Sequence, residues 1–201
     1  MKRLILALIF TSLIHPLVSA QDLTAQERDK ALKYLETTRA GVLAATKGLS
    51  EAQWNFKPAP DRWSVAEVTE HIAAAEDLLM GMVQEKVMMA PPRPAPDDVT
   101  AIDAFVLQAV PDRSHKVQAP EPLQPNNRFG SPQASLKHFK ESRAKTVAFL
   151  KKTKDLRQHA LDSPLGKKLD GYEWVLLIAA HSERHTKQIN EVKTDPNFPK
   201  S

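Results

Sequence analysis

The chain has no cysteine, only six glycines in 201 residues, and just 6% aromatic side chains. Without cysteine there is no disulfide, no thiolate nucleophile and no cysteine-ligated metal, so apolar packing must hold the fold together. With so little glycine there is no Gly-rich loop to cradle a phosphate. No convincing strand alternation and no internal repeat are visible. Neither charge is in excess: once Lys2 and Arg3 are set aside, 26 basic residues face 24 acidic ones. No basic cluster is interleaved with aromatics, which argues against nucleic acid as a partner. Long apolar runs are missing too, except at the very start.

That start reads as an address. Met1-Lys2-Arg3 is basic, Leu4 to Val18 is mostly apolar, and Val18-Ser19-Ala20 ends in small residues. This is the pattern of a secretory signal peptide over residues 1–20, with cleavage after Ala20. His15 and Pro16 interrupt the run, and it is short for a bilayer span, which disfavours the alternative of an uncleaved anchor. The expectation is a bacterial protein released to the periplasm or beyond, free of the membrane. Residues 21–201 fit one domain.

What the chain does contain is helix punctuation. Thr24-x-x-Glu27, Ser64-x-x-Glu67 and Asp170-x-x-Glu173 are capping boxes, and Ser131-Pro132 is an N-cap followed by proline in the first turn. Gly48 stops the first helix and Pro91-Pro92 the second. The spacing predicts four long helices, so the fold is all-α, a four-helix bundle. Between the second and third helices, residues 90–131 hold more than half of the fifteen prolines. This is one long crossover, with a short helix over about Thr100 to Val110, and it leaves the second and third helices parallel. Trp54, Phe56 and Trp63 sit in a Pro-broken loop placed to plug one end of the bundle. The tail after Thr194 is expected to fray.

The chemistry concentrates on histidine. At ~100° per residue, His185, Trp174, Leu177, Ile178, Gln188 and Val192 fall within about 60° of His181, on the apolar face of the fourth helix. Tyr172, Glu173, Lys187 and Glu191 point elsewhere. His71 shares the inward face of the second helix with Val68, Ala75, Leu78 and Met82. Three neutral imidazoles from facing helices, with one position left for water, make the open arrangement of a catalytic metal site. The bland alternative is three hydrogen-bonded core histidines. The pair is not the zincin motif, because Ser182 follows His181 where that motif needs glutamate. Glu67, one turn before His71, is placed to orient its ring, and Arg184 either holds an anionic substrate group or makes a surface salt bridge. His115, His138 and His159 read as surface groups, and no catalytic residue can be assigned.

Trp54-Asn55-Phe56-Lys57-Pro58, Arg62-Trp63-Ser64-Val65-Ala66-Glu67-Val68 with His71, and the late His181 and His185 resemble the DinB/YfiT-like superfamily over residues 22–194. The resemblance implies an up-down-down-up bundle and a divalent metal (Zn, Ni, Fe or Mn) on His71, His181 and His185. It also implies a homodimer, and it brings in metal-dependent transfer to low-molecular-weight thiols. Two functions stand at this level. One is an exported metal-dependent hydrolase or transferase acting on a small molecule. The other is a non-catalytic exported binding or scaffold module whose histidines are structural.

Overall fold

The computed structural model describes residues 22–92 and 99–200. The expected signal segment lies outside them. The bundle consists of α1 (Ala25–Ala45), α3 (Val65–Met82), α5 (Pro132–Lys152) and α6 (Gly171–Lys193). Short α2 (Glu51–Asn55) joins the first two, and α4 (Val99–Ala109) lies in the crossover. Among the described residues no helix is long and apolar enough to cross a membrane.

The helix starts follow from the side chains. Thr24, Ser64 and Asp170 each accept from the backbone N–H three residues on, while Glu27, Glu67 and Glu173 reach back to the cap N–H. Each box satisfies two amide donors that a helix start leaves free. Ser50 and Gln53 do the same for α2. Gly48 takes a φ of +69° just past α1, a conformation costly for a residue with a Cβ. A π-helical turn, Val83–Val87, extends α3 toward the proline pair.

Cross-helix hydrogen bonds fix the directions. Arg28 donates to the Leu150 carbonyl and Arg143 to that of Leu35, so α1 and α5 run antiparallel. Tyr34 donates to Glu183, and Lys193 to the Ala45 carbonyl, so α1 and α6 run parallel. Since α1 and α3 are joined by a short link, the order is up-down-down-up. The crossover returns the chain to the far end and leaves α3 and α5 parallel.

Two apolar clusters fill the interior. One gathers Leu35, Val83, Leu150, Leu156, Tyr172 and Trp174. The other gathers Val42, Trp54, Val68, Ile72, Phe139 and Ile189. Between them lies a polar layer built on Arg143, which is fully buried. Its guanidinium donates to both Glu76 oxygens (2.8 and 2.7 Å), the Leu35 carbonyl, Thr38 and Ser182. Thr146 adds a bond to Glu76. Removing one partner of such a pair costs roughly 3–5 kcal/mol, because the other charge is left buried alone.

Four expectations about the fold are corrected. Leu78, placed on the inward face of the helix with His71, is 42% exposed. A hairpin exists: β1 (Ala160–Asp162) pairs antiparallel with β2 (Lys168–Asp170), Leu161 opposite Leu169. Three-residue strands are too short to show an alternation. Tyr172 and Glu173 do not point away; both are fully buried. The loop before β1 folds over the start of α6 and lays Arg157 across the Tyr172 ring at 4.2 Å, a cover that the helix wheel cannot anticipate. The tail does not fray: Phe198 packs edge-on against Phe56 (5.5 Å), and the Pro199 carbonyl accepts from Gln53.

Candidate metal centre

His71 comes from the second turn of α3, and His181 and His185 from successive turns of α6. The antiparallel approach of these two helices brings the rings together. The His71 Nε2 lies 3.2 Å from the His181 Nε2 and 3.1 Å from the His185 Nε2. They form a group able to hold a metal ion. An ion about 2.0–2.1 Å from each nitrogen would space tetrahedral ligands about 3.3 Å apart, so the rings already stand near ligand spacing.

The outer nitrogens decide what the inner ones can do. The His71 Nδ1 is 2.8 Å from the Leu123 carbonyl, an acceptor only, so Nδ1 carries the proton and Nε2 offers a lone pair. The His185 Nδ1 is 2.7 Å from the Gln188 Oε1. Arg113, which can only donate, contacts the same oxygen at 3.3 Å, and that fixes the amide orientation. The His185 Nε2 is therefore a lone pair as well. Two lone pairs 3.1 Å apart repel, and neither of these two rings carries a proton on its facing nitrogen to bridge them. A shared cation resolves the conflict, and the donor set fits a divalent metal on this ground.

Burial lowers the pKa of His71, against the pull of the Leu123 carbonyl. Burial, followed by the charges of neighbouring histidines, holds His181 and His185 well below the ordinary imidazole value. All three are thus neutral near pH 7, the form that binds metal.

The trio opens into a cavity of about 650 Å³ bordered by Trp63, Leu123, Arg62, Arg113, Lys116 and Arg184, among others. Trp63 packs against the His71 ring, with centroids 4.9 Å apart. The crossover forms the far wall and is pinned at both ends. Arg184 donates to the carbonyls of Val110, Asp112 and His115. Glu70, buried, accepts from the backbone N–H groups of Asn126, Asn127 and Arg128. Between these anchors the Leu123 carbonyl is presented to His71.

Glu67 does not orient the His71 ring. Its carboxylate accepts from the Ser64 N–H at 2.7 Å and pairs with Lys57 at 3.0 Å, and the Leu123 carbonyl takes the orienting role. Arg184 makes no salt bridge among the described residues, because backbone carbonyls occupy it, yet it does border the cavity. His115 is exposed as expected, though at the cavity rim. His138 is half-exposed and bonds to Asp77 at 2.5 Å; His159 is half-buried, held by the Ala90 carbonyl at 2.6 Å. Sequence reasoning missed the Leu123 carbonyl, which carries no side-chain signal. Gln188 it placed on the right face without a role.

Residues 34–189 match the model of the DinB superfamily, and the chain belongs to that family. Among curated proteins it is similar to the uncharacterized protein YuaE of Bacillus subtilis (strain 168), 28% identical over 148 residues, spanning 73% of this chain and 87% of that one. Among solved structures it resembles YfiT from Bacillus subtilis, described as a probable metal-dependent hydrolase with an unusual four-helix bundle topology. That match has a TM-score of 0.54 at 17% identity, covers 88% of this chain and 91% of the other, and establishes the likeness of fold.

Proposed function

We propose that the chain is a metal-dependent hydrolase of small molecules whose ion is held by His71, His181 and His185. The observation that carries this is the pair of inward lone pairs on His71 and His185, 3.1 Å apart beside an open cavity. A divalent ion bound there supplies Lewis acidity and lowers the pKa of a water toward about 7. The protein's part is to keep the imidazoles neutral, to fix their tautomers through Leu123 and Gln188, and to screen one side of the centre with Trp63. The description of YfiT as a probable metal-dependent hydrolase supports the same reading.

Metal analysis of the purified protein tests it. About one equivalent of divalent metal is expected, with most of it lost in His181→Ala. Protein that stays metal-free after reconstitution with zinc, nickel, iron or manganese would sink the reading. The basic start and apolar run of residues 1–20 further support export. The mass of protein recovered from the periplasm of an expressing bacterium is expected to match a chain that begins at Gln21.

A further inference from the structure

We propose that the cavity over the three imidazoles selects a small organic anion, its acidic group held by Arg62 and Lys116 while another part of the molecule faces the metal. This deepens the hydrolase reading and rests on it. The cavity wall carries Lys57, Arg62, Arg113, Lys116 and Arg184 against only two carboxylates, Asp61 and Glu67. The Glu67 carboxylate is already engaged by Lys57. Just behind the wall, Glu191 serves three guanidinium groups. Hydrogen bonds from Arg113, then the charges of Arg113, Arg62 and Arg184, hold its carboxyl below the usual range. Only Arg113 among them pairs with it directly, through both oxygens, at 2.6 and 2.7 Å. Arg184 bonds to three neutral carbonyls, with the exposed Asp112 carboxylate as a second nearby charge. Arg62 and Lys116 have no carboxylate within ion-pair distance among the described residues, and both border the cavity.

The ligand set points the same way. Three neutral imidazoles leave the full charge of a divalent ion uncompensated, so the site gains from an anion beside it. Size and surface argue for an organic one. About 650 Å³ suits a small molecule, and Trp63, Val110, Pro120 and Leu123 provide an apolar wall that a bare inorganic ion would leave untouched.

Ligand binding to the full chain, stripped of metal with chelator and again after zinc loading, decides the matter. The probes are benzoate, phenyl phosphate, benzyl alcohol and inorganic phosphate. The readout is tryptophan fluorescence, in which Trp63 is the responsive ring because Trp54 and Trp174 are only 4% and 1% exposed. On stripped protein both aromatic anions are expected to bind about tenfold tighter than benzyl alcohol or inorganic phosphate, and less so at high salt. The double variant Arg62→Gln/Lys116→Gln, altered only at residues outside the core, is expected to lose about tenfold in anion affinity and none for benzyl alcohol. Equal binding of benzoate and benzyl alcohol, or of phenyl phosphate and inorganic phosphate, would overturn the proposal, as would undiminished anion binding in the variant. Zinc content read on the same samples separates the two ideas. Stoichiometric zinc without anion preference removes the substrate class alone, whereas anion preference without zinc uptake removes the metal reading beneath it.

Discussion

The Nδ1–H of His185 needs an acceptor, and Gln188 supplies it from one turn further along the same helix at 2.7 Å. That bond places the ring proton on Nδ1 and leaves a lone pair on the Nε2 that faces the centre. Groups that orient a ligand imidazole typically contribute 10–100-fold to metal affinity. Gln188→Leu is therefore expected to weaken zinc binding by about 10–100-fold, read by competition with a chromogenic chelator, with little change in helix content. An unchanged affinity would show that the tautomer is set elsewhere. His71 takes its acceptor from a main-chain carbonyl 52 residues away, Leu123, so no side-chain substitution at that position removes it directly. The three histidines of the candidate centre were legible as inward residues at helical spacing. Their orienting partners were not, because one is a backbone atom and the other is a glutamine among several polar residues of α6.

Among the elements, the start of α6 is the most constrained. The Gly171 N–H donates to the carbonyls of Leu156 (2.8 Å) and His159 (3.0 Å), which draws the preceding loop onto the helix end. A Cβ at Gly171 would lie 2.9 Å from the Leu156 carbonyl oxygen and 2.9 Å from its side chain. Backbone on one side leaves little room to give. Gly171→Ala is expected to lower stability by about 1–3 kcal/mol, seen as a lower urea midpoint at unchanged slope. The helix starts were legible because capping boxes are local: each involves residues three apart. The β1–β2 strands are too short for an alternation to show, and the docked tail depends on what it meets across the fold.

Over the whole molecule, two clusters of buried charge stand apart from the Glu70 anchor of the crossover. Arg143 and Glu76 form the layer between the apolar clusters. Nearer the start of α6, Arg157 gathers Glu27, Asp103 and Asp170 at 2.7 to 3.0 Å, with Glu173 at 3.5 Å. Burial, then the charge of Asp170, pushes the Glu173 carboxyl up to about 8. The folded state thus keeps a proton that the unfolded chain releases near the ordinary glutamate value of 4.5. The stability contributed by this group falls as pH rises from that value to about 8, and levels off above it. The buried histidines act with the opposite sign, but only below the ordinary imidazole value near 6.5. Between about pH 6.5 and 8 the fall belongs to Glu173, and Glu173→Gln is expected to flatten it in urea unfolding. A slope that persists in the variant would place the proton elsewhere. The chain by itself determined its helices, their caps, the long proline-rich connection and the inward set of the three histidines, because periodicity and capping act within a few residues. Only the tertiary structure decided that the rings meet at 3.1 to 3.2 Å, that the Leu123 carbonyl sets the tautomer of His71, and that cations border the space above them. Those properties arise between segments tens of residues apart, and packing alone brings such segments together.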